Sequence, residues 1–437
     1  MDKHKKILII FLAIVFAVNI AYSFYFKIPP AVDARAYENI AWNIVQGNGY
    51  RESLDVPLNN DNAIIRVGPG YEFFIAGIYS VFGRHYEVVW VIQALLVVLS
   101  ALMIFLITRE IFKTQWSFGA GIAAAALIGL SPDIITLQGM LMTETLGVFS
   151  VILAVYVFFR YINYGQRLWL AGLAGICLGL AVLVRTPAAF LFFPMAAYLL
   201  FHKKWKDFLI MGFMVFLVLL PWTIRNYNIF HAFIPTNEAT GFNLLAGNHS
   251  GATGEQDPYP ALEQYVQELG YVGANNRATK EALNFVAGSP LEFIKLTAYR
   301  ASIYFSFARP TGFWFHLNGL SKALTLVFSS IYSVFLFVLG FWGIWKIKDL
   351  IDKKNAKLLL WMLIMMPLAV VGIIVETRYR FLIYPFLAIF AGYGFQELIN
   401  KRLRLGPALY IAGILFLNAG FDILRNLGRI MERIKGL

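Results

Sequence analysis

Apolar runs long enough to cross a hydrocarbon layer recur along the whole chain, and they leave little to build except a bundle of membrane-spanning helices. A layer of roughly 30 Å takes about 20 apolar residues as helix. In lipid, every backbone amide must find its partner within such a segment. These runs lie at Ile7–Phe26 and near residues 87–108, 116–131, 145–161, 168–184, 188–201, 207–222, 323–345, 358–375, 381–398 and 406–421. The expectation is an all-α, polytopic membrane helix bundle of about eleven spans, with roughly 10 to 13 as the range. Residues 1–437 would then form a single transmembrane domain. Ala21-Tyr22-Ser23 has the form of a signal-peptide cleavage site, but the run before it is longer than a typical signal core and is read as a span.

Charge placement gives the direction of the spans. Only 14% of residues are charged, against about 25% in soluble domains. The net charge of +12 sits in short clusters between apolar runs, the pattern of the positive-inside rule rather than of nucleic-acid binding. Lys3, Lys5 and Lys6, Arg109 with Lys113, Arg160 with Arg167, Lys203, Lys204 and Lys206, the Lys346 to Lys357 cluster, and Lys401, Arg402 and Arg404 all fall on one side, read as the cytoplasm. The first outer segment, 28–86, and a large outer segment, 223–320, are left on the other side. Three short outer turns join them, carrying Glu144, Arg185 and Arg378. An odd span count also leaves the basic tail 422–437 outside, with Arg425, Arg429, Arg433 and Lys435. Either that tail is an interfacial amphipathic helix or the count is off by one. The lone Cys177 excludes a disulfide framework within one chain.

Ionisable residues at a membrane boundary mark chemistry more often than residues elsewhere in such a chain. Asp33 follows the first span and opens a helix in which Tyr37, Ile40, Ala41, Ile44 and Val45 recur at helical spacing, so it reads either as a helix N-cap or as a catalytic carboxylate. Gly47-Asn48-Gly49 stops that helix. Arg66 precedes Pro69-Gly70-Tyr71. Glu144 starts the fourth span, with Asp133 as a competing carboxylate in the same turn. Arg185 ends a strongly apolar segment, where a guanidinium needs a partner and phosphate is a natural one. The segment from Pro221 is rich in Gly, Asn, Thr and aromatic residues, which suits a hydroxylated ligand and makes Arg225, Asn226, Asn248 and His249 candidates. Ser289-Pro290-Leu291-Glu292 has the form of a capping box, so Glu292 reads as structural.

Taken together, these elements resemble the GT-C class of membrane glycosyltransferases, in particular relatives of protein O-mannosyltransferase and of the lipid A aminoarabinose transferase. The resemblance covers about residues 1 to 400. It rests on Asp33-x-x-x-Tyr37 followed by Gly47-Asn48-Gly49-Tyr50, Arg66-x-x-Pro-Gly-Tyr, the Glu144 turn, Arg185-Thr-Pro, the Pro221 and Ala246 to Gly254 elements, and Glu376-Thr-Arg-Tyr-Arg. It implies the GT-C fold and transfer of a sugar from a polyprenyl phosphate donor to an acceptor at the outer, periplasmic face of the cytoplasmic membrane. The acceptor stays open among protein, a lipid A-like glycolipid and a cell-wall polymer. The resemblance implies Asp33 as the base, Glu144 as a second acidic residue whose role varies among relatives, Tyr37 and Arg66 beside the donor and its phosphate, and Arg378, Tyr379 and Arg380 as a donor phosphate or sugar cluster in which the match does not decide between the arginines; Arg185 joins them as a phosphate candidate by its chemistry. One departure is Ala36, which stands where the aminoarabinose enzymes have Arg before the Tyr, with Arg35 displaced by one.

The chemistry agrees with this resemblance. A phosphate-linked sugar carries its own leaving group, so the protein must stabilise a departing phosphate and take a proton from the acceptor. Arginines meet the first need and a carboxylate the second, with inversion expected for direct displacement. No cofactor is required; His249 with Glu52 is the one pair considered for a divalent ion. A polyprenyl tail asks for a groove between helices, framed by aromatic residues such as Trp222, Trp314 and Phe315. The alternative is a lipid or glycolipid transporter without transfer chemistry, against which the charges collect at one face rather than at mid-span.

Overall fold

The computed structural model describes residues 3–428 and 431, except 114, 256–258, 310–313, 350–352 and 401–404. Among the described residues the regular structure is entirely helical. α1 (Lys3–Phe26) leads to an amphipathic helix, α2 (Asp33–Val45), and a short apolar one, α3 (Gly70–Phe82), then to α4 (Tyr86–Ile111) and the bent pair α5 (Ser117–Gly129) and α6 (Pro132–Gln138). Next come α7 (Thr143–Asn163), α8 (Leu168–Val184), α9 (Phe192–Phe201) and α10 (Trp205–Phe230). The large segment after α10 folds as α11 (Thr240–Gly247), α12 (Ala261–Gly288) and α13 (Pro290–Phe305). The remaining helices are α14 (Gly319–Trp345), α15 (Lys353–Val371), α16 (Tyr384–Ile399) and α17 (Leu405–Arg425).

Eight helices among the described residues are long and apolar enough to cross a membrane, or nine if α5 and α6, bent by 49°, make one broken span. The other two expected spans fall on α8 and on Thr186–Phe201, both apolar but shorter. Each apolar run is thus a helix, and the chain is an integral membrane protein.

The break between α5 and α6 brings one end of the bundle into register. Pro132 starts α6, and the Ser131 hydroxyl accepts from the Ile134 amide. Asp133 is fully buried there and accepts from Ser329 at 2.6 Å, so this carboxylate belongs to the helix packing. Gln93 donates to the carbonyls of Gln138 and Met140 at 2.7 and 2.8 Å and accepts from Tyr71 at 2.9 Å. These buried amides would be costly unpaired. Paired, they fix the stretch 139–142 that delivers Glu144.

α2 buries the face that its spacing predicts: Tyr37, Ile40 and Ala41 are inside. It is also bolted to α3 by charge, because Arg84, just past α3, grips Glu38 with two bonds of 2.5 and 2.6 Å while lying over the Trp42 ring. Gly47 and Gly49 take φ of 76° and 82° in the turn after α2, a region that costs glycine nothing.

The end of α17 returns to the large segment. Arg309 bonds Asp422 at 2.7 and 2.8 Å and Glu255 at 2.8 Å, and Arg425 donates to the Thr253 carbonyl at 3.0 Å. The tail expected from residue 422 therefore starts inside α17. Its Arg425 sits with segment 223–320, while Arg429, Arg433 and Lys435 lie outside the described residues.

One contact seats the first outer segment on the bundle. A Cβ on Gly68 would lie 2.1 Å from the Leu183 carbonyl oxygen, and one on Gly70 would lie 2.8 Å from a Val184 methyl. The glycines let residues 66–70 rest directly on the last turn of α8. Gly68→Ala should therefore cost about 1 to 3 kcal/mol of stability, seen as a lower thermal midpoint of the detergent-solubilised protein. An unchanged midpoint would show that this seat is not tight.

Candidate active site

Five separate pieces of chain meet at one end of the bundle. Asp33 comes from the start of α2, Arg66 from the turn before α3, Glu144 from the first turn of α7, Arg185 from the end of α8, and Arg378 from the 3-10 turn Thr377–Ile383 that opens onto α16. Their charges pair across these pieces. Asp33 Oδ2 receives Arg378 Nη1 at 2.9 Å, and its Oδ1 lies 3.7 Å from Arg66 Nη1. Arg66 gives Nε and Nη2 to Glu52, both at 2.9 Å. Arg378 Nε meets Glu376 at 2.5 Å, and buried Arg185 pairs with buried Glu144. The convergence expected of Asp33, Tyr37, Arg66, Glu144, Arg185, Arg378 and Tyr379 is present.

Two connected chambers open at this cluster. The first, of about 520 Å³, is bordered by Asp33, Tyr37, Arg66, Met140, Phe315, Glu376 and Arg378. The second, of about 300 Å³, has Arg185, Glu144 and Thr186 on one side and Phe190, Val370, Ile373, Ile374 and Leu382 on the other. Val67, Asn237, Ala239, Asn243, Arg378 and Tyr379 line both. One chamber is rich in charge and the other largely apolar, and Arg378 and Tyr379 stand where they meet.

Several expectations are corrected. Asp33 is the first residue inside α2, not its N-cap; Val32 holds that position, at φ 49°, with no side-chain cap. The Asp33 carboxylate is turned to the arginines instead. Arg380, expected to bind phosphate, is fully buried and donates to the carbonyls of Ser306, at 2.6 Å, and Arg309. In a 3-10 turn, residues two apart point about 120° away from each other around the axis, and here Arg378 faces the chambers while Arg380 faces the carbonyls behind them. Ser289 does precede α13, but without a side-chain cap, and Glu292 pairs with Lys295 at 3.4 Å.

The acceptor-loop candidates are also scaffolding. α10 runs on to Phe230 with Pro221 inside it, so Arg225 and Asn226 are helical rather than in a loop. Arg225 donates to the Tyr50 carbonyl at 3.0 Å and lies over the Trp222 ring, and Asn226 bonds the Ile234 carbonyl at 2.9 Å. Asn248 follows α11, where carbonyls need donors. It bonds those of Leu244, Gly372 and Ile373 and accepts from buried Arg300 at 2.7 Å. The His249 ring bonds the Ser250 carbonyl, and Glu52 is engaged by Arg66. Among the described residues there is no group of three or more His, Cys, Asp or Glu that could hold a metal ion. Trp222 and Trp314 are buried, whereas Phe315 does border the charged chamber.

The residues that replace them were not singled out from sequence. Asn237 bonds the Arg66 carbonyl at 2.5 Å and accepts from Thr186 at 3.3 Å, so it splices the large segment to both arginine-bearing turns. Asp61 accepts from the amides of Glu52, Ser53 and Ala63 at 2.8 to 2.9 Å, which shapes the loop carrying Glu52. The Asx-type signal Asp61-Asn62-Ala63 could have suggested this turn; nothing local points to Asn237.

The electrostatics favour charged arginine and neutral phenol. Burial pulls the Arg66 pKa down, but the Glu52 carboxylate outweighs it and the net shift is upward. Burial pushes the Tyr37 phenol well up, so it serves as a neutral donor. Behind the site, fully buried Glu72 is raised from 4.5 to about 8, chiefly by burial, against the pull of its own amide, Tyr50 and Arg66.

In fold the chain is a GT-C membrane protein, the class its motifs resemble. The oligosaccharyltransferase of Archaeoglobus fulgidus, in its apo form, matches 97% of this chain and 54% of its own at 16% identity, with a TM-score of 0.52. The same protein in complex with Zn and sulfate matches 94% and 53% at 15% identity, with a TM-score of 0.51. ArnT from Cupriavidus metallidurans, bound to undecaprenyl phosphate, matches 90% of this chain and 78% of its own at 14% identity, with a TM-score of 0.41. The chain spans about half the length of the archaeal enzyme. Residues 66–224 match the family model described as Dolichyl-phosphate-mannose-protein mannosyltransferase. No curated protein matches the sequence.

Glu72 makes stability depend on pH. A carboxyl held near 8 in the fold and 4.5 outside it binds its proton more tightly when folded. Its contribution is complete below about 4.5 and is lost as pH rises to about 8. Wild-type protein should therefore lose thermal stability between pH 5 and pH 8.5, by roughly 3 to 5 kcal/mol if this group acts alone. Glu72→Gln should flatten that profile, and a profile as steep as wild type would exclude Glu72 as its source.

Proposed function

We propose that the chain transfers a sugar from a polyprenyl phosphate donor to a nucleophilic acceptor, at the outer face of the cytoplasmic membrane. The observation that carries this reading is a carboxylate, Asp33, set between two guanidinium groups in a charged chamber, one of which, Arg378, also lines the adjoining apolar chamber. A lipid-linked phosphate has the matching parts: an anionic head and an apolar tail. The family model over residues 66–224 bears the name of a dolichyl-phosphate-mannose enzyme and spans Arg66, Glu144 and Arg185. The order of basic clusters along the sequence, read by the positive-inside rule, supports the outer face.

In the transfer, a lone pair of an acceptor oxygen or nitrogen forms a bond to the anomeric carbon. The bond from that carbon to the phosphate oxygen breaks, and its electron pair leaves with the lipid phosphate. The acceptor proton goes to Asp33. Arg378 and Arg66 stabilise the charge growing on the phosphate, the usual role of fixed cations at a leaving group. Arg185, held by Glu144, lines the apolar chamber beside the Tyr379 ring at 5.9 Å and guards the approach of the phosphate from the lipid. Attack opposite the leaving group inverts the anomeric centre.

The test uses membranes containing the full chain and a panel of polyprenyl phosphate sugars, with release of polyprenyl phosphate as the readout. Asp33→Asn should lower turnover by about 10² to 10⁴, the range for a general base, with insertion unchanged. Full turnover in that variant removes Asp33 as the base. Movement of labelled lipid without release, in wild type as well, would replace the transferase with a transporter.

A further inference from the structure

Arg66 and Arg378 are each flanked by a second carboxylate. Glu52 accepts hydrogen bonds from Nε and Nη2 of Arg66, and a Glu376 oxygen lies 2.5 Å from Nε of Arg378 as an ion pair. Each then directs Nη1 at Asp33, one to each carboxylate oxygen, at 3.7 and 2.9 Å. Two fixed donors converging on the two oxygens of one anion form a phosphate seat as much as a base site. A phosphodiester has one negative charge and two non-bridging oxygens, spaced nearly as those of a carboxylate, and guanidinium groups recognise both by the same geometry.

We infer that Asp33, where it pairs with Arg66 and Arg378, occupies the seat of the donor phosphate, and that the phosphate and the carboxylate exchange places during the cycle. The inference rests on the transferase reading above and adds a competition to it. Donor binding displaces Asp33 from Arg66 and Arg378 and turns it toward the acceptor, so the base is released only when a donor is present. Once Asp33 has taken the acceptor proton it is neutral and no longer competes. When it loses that proton to solvent, the carboxylate returns to the arginines and expels the polyprenyl phosphate product. Glu52 and Glu376 are positioning residues, which keep the two Nη1 atoms aimed at the seat throughout.

The competition has a signature opposite to that of a lost contact. A site partly filled by its own carboxylate binds with an affinity reduced by the fraction of time it is open. Removing that charge should tighten binding of an anion even as it stops transfer. The experiment measures binding of undecaprenyl phosphate to the purified full-length chain in detergent, for wild type, Asp33→Asn, Arg378→Gln and the double variant. Asp33→Asn should bind about tenfold more tightly than wild type, Arg378→Gln more weakly, and the double variant no more tightly than Arg378→Gln alone. Inorganic phosphate at the same concentration should not displace the lipid, because it lacks the tail for the apolar chamber.

Equal or weaker binding by Asp33→Asn, or tightening that persists without Arg378, overturns the exchange. So does failure of wild type to bind the lipid. Equal competition by inorganic phosphate overturns the lipid headgroup as occupant. Asp33→Ala serves as the second variant where the first is poorly folded, with the same expected sign. The two readings fail separately: wild-type transfer without the binding pattern removes only the exchange, and the binding pattern without any transfer removes only the transferase.

Discussion

The ion pair between Asp33 and Arg378 joins the beginning of the chain to its last third, 345 residues apart, and the rest of the site depends on it. Asp33 leads into α2, which is locked to α3 through Glu38 and Arg84. Arg378 stands at the start of the turn that becomes α16. Neither charge is deep in the bundle. Both are partly exposed to the chamber, with side-chain exposures of 17% and 26%, so the pair is well placed to exchange with a ligand rather than to act as a fixed strut. A fully buried pair would resist such exchange, because separating it would leave a charge without solvent or partner.

The supports behind that pair are of a different kind. Asp61 and Asn237 hold backbone groups, not side-chain charges, and the seat of Gly68 on Leu183 is a contact of main chain with main chain. These contacts change little with ligand or pH, and they fix the positions from which Arg66 and Arg185 reach inward. Buried Arg300 and Arg380 act similarly, tying loops through carbonyl oxygens. Around the site the arginines divide by partner: Arg66, Arg185 and Arg378 meet carboxylates and line the chambers, whereas Arg300 and Arg380 meet carbonyls and hold the walls.

That division explains how much was legible in the sequence. Hydropathy placed the apolar helices, because a membrane leaves the backbone no other choice, although two of the eleven expected spans, α8 and Thr186–Phe201, are shorter than the rest. The order of charges placed Asp33, Arg66, Glu144, Arg185 and Arg378 together, because topology decides which turns share a face. Partner choice was not legible. Arg378 and Arg380 differ only by a rotation around one short turn, and Arg225 moved from loop to wall because α10 continues two turns past Trp222 through Pro221. Glu52 and Asn237 matter for what lies opposite them in space, and no spacing rule reports that. The amide-rich composition after Pro221 was a true signal of polar loops, but Asn226, Asn237 and Asn248 spend their amides on backbone carbonyls, of which only those at Asn248 include a helix end.

The count of charges at the cluster limits what it can accept. Asp33, Glu52, Glu144 and Glu376 face Arg66, Arg185 and Arg378, so the cluster holds more carboxylate than guanidinium. A further anion can enter only if a carboxylate yields its place. Glu52 grips through two parallel bonds, Glu144 is buried with its partner, and Glu376 lies two residues from the arginine it holds. Asp33 is the carboxylate shared between two donors, with one of its contacts at 3.7 Å, beyond hydrogen-bond length. It is therefore the one whose displacement costs least, and its return is what can drive a bound phosphate out.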